Sequence, residues 1–204
     1  MKKRIALTFD DGPSPYTDKL LDVLKGHGAR ATFFLSGSEI DAKTNTVKRM
    51  KNEGHEIGNH TLSHSPLTYL TDENIRDEIL CTNEKISSVT DLSPALVRPP
   101  FGDFDERVGS IGKALGVSFV AWSLDSSDWS LLNCDKVYNE IINNVCDGDI
   151  VLCHDTHKTT VEAIEKALPL LLDMGFELVG VTELLASPLI FGKIYYRRED
   201  LYEN

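Results

Sequence analysis

The sequence lacks the features that mark several large classes of protein. No apolar run among its 204 residues reaches the length of a membrane-spanning helix. It has 21 lysine and arginine residues against 32 aspartate and glutamate residues, so its formal charge of −11 offers no basic face for nucleic-acid phosphates. That charge suits a neutral or cationic substrate better than an anionic polymer. Without a repeat, linker or low-complexity segment, residues 1–204 are predicted to form one domain.

Signals for secretion and for disulfide bonding are also weak. Residues 1–4 are basic, but the apolar stretch at 5–9 is too short for a signal peptide and runs into Asp10. We therefore expect no signal peptide in this chain, which would be cytoplasmic as given, or extracellular or in the cell wall if trimmed from a longer precursor. The cysteines form no CxxC pair, which favours buried free thiols and leaves one disulfide as an alternative. They are Cys81, Cys134, Cys146 and Cys153.

Short β-rich runs alternate with amphipathic helical stretches along the chain. The predicted strands are 4–9, 31–35, 56–58, 95–97, 118–122, 149–153 and 177–179. The predicted helices are 17–27, 44–53, 71–89, 105–115, 134–145, 159–174 and 181–186. This alternation predicts an α/β fold with parallel strands, and about seven such units favour an incomplete (β/α) barrel over an open sheet. Residues 188–204 are predicted to be a C-terminal surface extension.

Five polar clusters fall at predicted strand ends, where parallel α/β folds gather functional groups. The first is the pair Asp10-Asp11, followed by Gly12 and Pro13. Adjacent carboxylates at the end of an apolar strand repel each other and lose solvation, and a nearby cation would remove both problems. A solvated turn is the alternative interpretation, because Asp-Gly and Gly-Pro are turn signals.

The second cluster contains two histidines, His60 and His64, at positions i and i+4. On one face of a helical turn both imidazoles could bind the same ion, and Pro66 would prevent that turn from continuing as a long helix. Two imidazoles and one carboxylate leave positions open for water and substrate, as in catalytic zinc sites. Exposed histidines on a helix also produce this spacing by chance.

The third cluster is Arg98-Pro99-Pro100-Phe101, after the predicted strand at 95–97. Arg98 could fork onto a carboxylate and hold it ionised. The two prolines stiffen the backbone, which makes the Phe101 amide a candidate oxyanion donor. The alternative is a stiff loop whose arginine faces solvent.

The fourth cluster, residues 125–129, follows the strand predicted at 118–122. An aspartate there could orient a histidine while the Trp129 indole shapes a small apolar pocket. A loop capped by aspartate side chains, with a buried tryptophan, explains the pattern equally well.

The fifth cluster ends the strand predicted at 149–153. Strand alternation puts Leu152 and His154 on one face and Cys153 on the other, toward the helices. A histidine in that position can act as a general acid. The remaining histidines have no partner pattern and are expected to have surface or core roles: His27, His55 and His157.

Together these clusters resemble the NodB-type polysaccharide deacetylases, carbohydrate esterase family 4, over about residues 4–186. The resemblance implies a distorted (β/α) barrel that hydrolyses N- or O-acetyl groups of polysaccharides. It also implies a single divalent metal ion bound by Asp11, His60 and His64. Zinc suits these ligands best, and cobalt, nickel or iron could occupy them.

The resemblance implies catalytic roles for the other residues. Asp10 would be the catalytic base, held by Arg98, and the Phe101 amide would help to bind the oxyanion. Many members of the family have tyrosine in place of Phe101, but the expected donor is the backbone N–H, so activity should not depend on this difference.

Four further residues would complete the site on the same resemblance. Asp128 would tune His154, the general acid, and Trp129 and Leu152 would line the pocket for the acetyl methyl group.

The expected substrate is an acetylated carbohydrate, most simply an N-acetylglucosamine-containing polysaccharide or oligosaccharide of the peptidoglycan or chitin type. An esterase acting on O-acetyl xylan with the same residues is an alternative. A non-catalytic carbohydrate-binding relative is a remote one, because such a protein should lack a base, an acid or a ligand. No nucleic acid, membrane span or protein partner is expected.

Overall fold

The computed structural model describes residues 2–186 and 188–198, in which strands and helices alternate. The strands are β1 (Lys3–Asp10), β2 (Thr32–Leu35), β3 (Glu56–Asn59), β4 (Leu96–Val97), β5 (Ser118–Val120), β6 (Leu124–Asp125), β7 (Ile150–His154), β8 (Phe176–Leu178) and β9 (Ile194–Tyr195). The helices are α1 (Thr17–Gly26), α2 (Gly37–Ile40), α3 (Thr44–Asn52), α4 (Asp72–Thr90), α5 (Glu106–Leu115), α6 (Asp128–Leu131), α7 (Cys134–Asn144), α8 (Lys158–Asp173) and α9 (Val181–Leu185).

The strands form one curled parallel sheet. Their order is β6-β7-β1-β2-β3-β4-β5-β9, and β8 pairs with the first residues of β1. The two ends of this order, β6 and β9, do not pair with each other, so the predicted incomplete barrel is confirmed. In a parallel sheet all carboxyl ends lie at one edge, and the register places Asp10 beside His154 and Asn59 beside Val97. The predicted clusters therefore converge at that edge.

Strand β1 is central because both of its faces are covered. Residues 5–10 are all buried, as expected for a parallel strand with protein on each side. Ile5, Leu7 and Phe9 pack on the helix side in the largest core cluster. Ala6 faces the inside of the curled sheet, in a second cluster with Val120.

Side-chain caps fix where the helices beside the site begin. Thr71 Oγ1 accepts a hydrogen bond from the Asn74 N–H ahead of α4, and Asp105 accepts one from the Val108 N–H ahead of α5. Gly116 ends α5 in the left-handed conformation, with φ of 72°. The local sequence therefore determines where α4 and α5 begin and where α5 ends.

The prediction of a surface extension after Pro188 fails at Ile194 and Tyr195, whereas Ile190, Phe191 and Tyr196 are exposed. Ile194 and Tyr195 form β9, which pairs in parallel with β5, and Tyr195 is 1% exposed. The Tyr195 hydroxyl accepts a hydrogen bond from the Ile190 N–H at 2.8 Å. Two residues carry too little alternation to predict a strand, so only the tertiary pairing reveals it. The part of the predicted extension at 199–204 lies outside the described residues.

The cysteines are free thiols rather than a disulfide. Only Cys153 is buried, so the prediction of buried thiols holds for that residue and fails for exposed Cys146. As the alternation of β7 predicts, Cys153 lies in the helix-side core cluster. Among the helices described, none combines the length and the apolar character needed to cross a membrane.

A buried glycine in α5 allows us to test the packing of the sheet against its helices. A Cβ at Gly112 would overlap the ring of Phe119 on β5. We expect Gly112→Ala to lower the free energy of unfolding by about 1–3 kcal/mol, because the ring has no free volume to move into. Urea denaturation measures this difference. Gly26→Ala is the matched control: it is also helical, and no atom lies within 4 Å of its added Cβ. Equal stability of the two variants would contradict the close packing.

Candidate active site

A cavity of about 380 Å³ opens at the carboxyl edge of the sheet. Its volume lies in the usual range for small-molecule sites. Eight of the ten predicted site residues line it, and the other two, Arg98 and Asp128, are fully buried. The eight are Asp10, Asp11, His60, His64, Phe101, Trp129, Leu152 and His154.

Arg98 and Asp10 form a buried ion pair at the base of the cavity. Arg98 is 0% exposed and Asp10 is 2% exposed. The Nη1 atom of Arg98 donates to Asp10 Oδ1 at 2.8 Å and to Thr8 Oγ1 at 2.6 Å. Its Nη2 and Nε atoms donate to the carbonyls of Ala121 and Val120. The prediction that the guanidinium forks onto one carboxylate is therefore wrong, because its donors are divided between β1 and the end of β5.

The two histidines do not share a helical turn, so that local prediction is also wrong. They lie on an irregular loop after β3, where Thr61 and His64 have φ angles of 65° and 58°. This left-handed backbone is uncommon for non-glycine residues, and for a β-branched residue such as Thr61 it is an outlier. The loop nevertheless brings the ring centroids of His60 and His64 to 5.0 Å.

Asp11 and the two histidines meet the requirements of a cation site. Their ligand atoms all lie within 4.8 Å of one another. Asp11 Oδ1 is 3.4 Å from His60 Nε2 and 3.2 Å from His64 Nε2. Two ligands bound at about 2.0–2.1 Å in a tetrahedral zinc site are separated by about 3.3 Å, so these distances fit such a site.

The protonation of His60 strengthens this interpretation. Its Nδ1 atom lies 2.8 Å from the carbonyl oxygen of Arg98, which can only accept, so Nδ1 carries the proton. In the neutral ring the lone pair on Nε2 then faces Asp11 Oδ1, which is buried without a hydrogen-bond partner. Two lone pairs in contact repel each other, and a bound cation would satisfy both. The residues present therefore fit a divalent metal ion.

The electrostatics of Asp11 and His64 favour the protonation states that a metal requires. Burial alone would raise the pKa of Asp11, but in the metal-free site a hydrogen bond and positive charge from protonated His60, followed by the charge of His64, outweigh burial and lower that pKa to about 2. Burial lowers the pKa of His64 and so favours its neutral form. An ionised carboxylate and neutral imidazoles are the forms that bind metal.

Across the cavity, Asp128 holds His154 from behind. The Nδ1 atom of His154 donates to Asp128 Oδ1 at 2.8 Å, and the His154 backbone N–H donates to Oδ2 at 2.7 Å. Thr160 Oγ1 also donates to Oδ2, at 2.7 Å. These bonds fix the ring so that Nε2 is the nitrogen left for the cavity.

The hydrogen bond between Asp128 and His154 shifts the pKa of both side chains. Burial would lower the pKa of His154, but the hydrogen bond and charge of Asp128, together with Asp10 and Asp11, raise it to about 9. Burial opposes ionisation of Asp128 too, yet its bonds with His154 and Thr160 lower its pKa. His154 is therefore protonated at neutral pH and can donate a proton.

Apolar and aromatic side chains form the rest of the cavity wall. Leu152 is 4% exposed, whereas Trp129 and Phe101 are 58% and 68% exposed at the mouth. The ring of Phe101 packs edge-on against His64, with centroids 4.7 Å apart. Leu152 and His154 share the cavity face of β7, as strand alternation predicts.

Sequence reasoning assigned no site role to three further residues that line the cavity, although one of them begins the fourth predicted cluster: Asp125, Trp122 and His157. His157, expected on the surface or in the core, lies with its ring centroid 6.4 Å from that of His154. No pattern in the sequence marks it, because it reaches the cavity from the start of α8.

Asp155 lies behind the Asp10-Asp11 turn and is bonded to the residues that follow it. Its backbone carbonyl accepts a hydrogen bond from Ser14 Oγ at 2.6 Å, and its carboxyl group accepts one from Thr17 Oγ1. Full burial raises its pKa to about 7. The only sequence pattern that indicated a role for Asp155 near the site is its position directly after His154.

Comparison with known proteins adds to this geometry. Residues 1–120 match the family model for polysaccharide deacetylase. The chain is 38% identical over 199 residues to the peptidoglycan-N-acetylglucosamine deacetylase PgdA of Listeria monocytogenes, covering 97% of this chain and 42% of that protein. It is 40% identical over 190 residues to a peptidoglycan-N-acetylglucosamine deacetylase of Bacillus cereus, covering 90% of this chain and 89% of that one. The chain thus spans less than half of the Listeria relative.

A solved structure gives the same match in three dimensions. A family 4 acetyl xylan esterase from Clostridium thermocellum, in complex with a cobalt ion, superposes with a TM-score of 0.88 at 33% identity. The match covers 96% of this chain and 98% of that one.

The raised pKa of His154 is directly measurable. In the metal-free protein, titration of the ring nitrogens by NMR should give a value near 9, falling toward 6.5 in Asp128→Asn because the partner charge is lost. The pKa of His55, which burial lowers to about 4 outside the cavity, should be the same in both proteins and serves as the reference. A value that stays near 9 in the variant would assign the shift to Asp10 and Asp11 instead.

Proposed function

The chain belongs to the polysaccharide deacetylase family, and from that premise we propose that it is a metal-dependent hydrolase that removes N-acetyl groups from a carbohydrate. Its substrate would be an N-acetylglucosamine-containing polysaccharide or oligosaccharide of the peptidoglycan or chitin type. Residues 1–204 would be its catalytic domain. We propose zinc as the metal, because imidazole and carboxylate ligands with open positions suit it.

One observation carries this proposal: the two adjacent carboxylates face different partners. Asp10 is bonded to the buried Arg98, whereas Asp11 faces the Nε2 atoms of the two histidines. Asp10 Oδ2 is still only 3.7 Å from His60 Nε2, so it borders the same point in the cavity. One carboxylate can thus bind the metal while its neighbour remains available as a base.

The residues divide the reaction between them. A divalent ion held by Asp11, His60 and His64 would polarise the acetyl carbonyl and acidify the attacking water. Asp10 takes a proton from that water while the water oxygen forms a bond to the acetyl carbon. The Phe101 amide donates a hydrogen bond to the oxyanion that develops.

Breakdown of the tetrahedral species uses the opposite wall of the cavity. His154 donates its proton to the leaving nitrogen as the C–N bond breaks, which gives acetate and a free amine. Asp128 keeps that ring protonated and oriented. Leu152 and Trp129 contact the acetyl methyl group. The reaction needs no nucleophilic serine or cysteine side chain, because water attacks the acetyl carbon directly.

N-deacetylation requires a general acid more than ester hydrolysis does, because an amine leaves poorly without a proton. The Asp128–His154 pair supplies that acid, and an esterase with the same residues would share it. The two relatives compared above are named for N-acetylglucosamine in peptidoglycan, which supports that substrate and a site of action at the cell wall. Esterase activity on O-acetyl xylan remains the second candidate, because the Clostridium thermocellum esterase has the same fold.

Acetate release tests the proposed reaction. The zinc-loaded protein should release acetate faster from N-acetylglucosamine oligomers and peptidoglycan fragments than from acetylated xylan, because the two relatives compared above are named for N-acetylglucosamine in peptidoglycan. Chelation should abolish release and added zinc should restore it, with the circular dichroism spectrum unchanged throughout. Full activity in a sample verified as metal-free would contradict the mechanism. Faster release from xylan would replace it with the esterase.

Substitution of each carboxylate separately should distinguish their roles. Asp11→Asn removes an anionic ligand, so zinc affinity should fall, and excess zinc should recover some of the rate. Asp10→Asn keeps the side-chain size but cannot accept a proton. It should bind zinc almost normally and lose about 10²–10⁴ in turnover at any zinc concentration. Calorimetric zinc titration, paired with acetate release, measures both effects. If Asp10→Asn loses zinc and Asp11→Asn keeps it, the two roles must be exchanged.

A further inference from the structure

The loop that carries the two histidine ligands has a backbone conformation that its own sequence does not favour. Thr61 and His64 both have positive φ angles, and neither is glycine. Such a conformation persists only where the surrounding structure holds it. The residues that hold this loop therefore decide whether His60 and His64 face the same point.

Helix α4 supplies one side of that support through Glu78. Its Oε2 atom accepts hydrogen bonds from the backbone N–H groups of Leu62 and Ser63, at 2.7 and 2.8 Å. Its Oε1 atom accepts the Ser63 hydroxyl at 2.5 Å. One half-buried side chain thus binds both consecutive N–H groups at the centre of the loop.

The start of α2 supplies the opposite side. The N–H groups of Gly37 and Ser38 donate to the carbonyls of Thr61 and Leu62, at 2.9 and 3.1 Å. Gly37 permits this close approach, since a Cβ there would lie 2.9 Å from the Leu62 side chain and closer still to Thr82. The carbonyls of Thr61 and Leu62 are therefore held by α2, and the N–H groups of Leu62 and Ser63 by α4.

We propose that Glu78 is a positioning residue for metal binding, because it holds the His60–His64 loop in the shape that directs both imidazoles toward Asp11. It acts through the reach of its hydrogen bonds rather than through its charge. The inference rests on the metal site of the proposed function. It goes beyond that site in assigning affinity to a residue on a helix that does not line the cavity.

Two conservative substitutions distinguish an effect of the length of the Glu78 side chain from an effect of its charge. Glu78→Asp keeps the negative charge but is one methylene too short to contact both N–H groups. Glu78→Gln loses the charge, yet its carbonyl oxygen can accept both N–H groups while its NH₂ donates to the Ser63 hydroxyl oxygen. Glu84→Asp is the matched control: Glu84 is on the same helix, is exposed and contacts no part of the loop in the described structure.

Zinc affinity, measured by competition with a chromogenic chelator in the absence of substrate, is the readout. Glu78→Asp should weaken zinc binding by about 10–100-fold, as loss of a residue that orients metal ligands does. Glu78→Gln should bind zinc with an affinity close to that of the parent, and Glu84→Asp should be unchanged. Urea unfolding of each metal-free variant, run in parallel, separates lost affinity from lost stability.

Two outcomes would overturn the proposal. A loss in Glu78→Gln equal to or larger than that in Glu78→Asp would assign the effect to charge. Parental zinc affinity in Glu78→Asp, even with lower resistance to urea, would leave Glu78 a purely structural role. Because no substrate is present, a parent protein that binds zinc but releases no acetate would refute the proposed reaction and leave this inference standing. A parent protein that binds no zinc would refute both.

Discussion

The buried guanidinium of Arg98 is the constraint on which the rest of the site depends. A buried charge is tolerated only when it is paired and its donors are satisfied. Here the partners are Asp10 and Thr8 on β1 and two carbonyls at the end of β5, while the ring of Phe34 lies 4.2 Å away against the cation. The Arg98 carbonyl in turn orients His60. Arg98 thus ties Asp10, His60 and the ends of distant strands into a single arrangement.

That arrangement explains why chemically similar groups can differ in role. Asp10 and Asp11 are adjacent in sequence, yet one meets a fixed cation and the other meets two nitrogen ligands. His154 and His60 are both on strand ends or just beyond, yet one is bonded to a carboxylate and the other to a carbonyl. A carboxylate partner favours the charged imidazole, and a carbonyl partner leaves it neutral with a defined tautomer. Environment, rather than residue type, sets the chemistry.

Much of this could be predicted from the sequence, because strand ends converge in a parallel sheet. Apolar runs such as 4–9 identified the strands, and the polar residues after them had to meet at one edge. The predictions that failed concern conformations that depend on contacts between residues distant in sequence. The loop at Thr61 is left-handed because α2 and α4 hold it, and Arg98 spreads its donors because carbonyls of β5 lie beside it. The strands β6 and β9 were missed because two residues show no alternation.

The shortness of those same strands has a consequence for solubility. An open sheet has edges whose unpaired backbone groups can recruit a strand from another molecule. In the described part of this sheet the order ends in β6 and β9, with two residues each, and the side strand β8 has three. Such edges offer too few hydrogen bonds to template a stable intermolecular ladder. The barrel can therefore remain unclosed while the edges described here offer little backbone for pairing with a strand of another molecule.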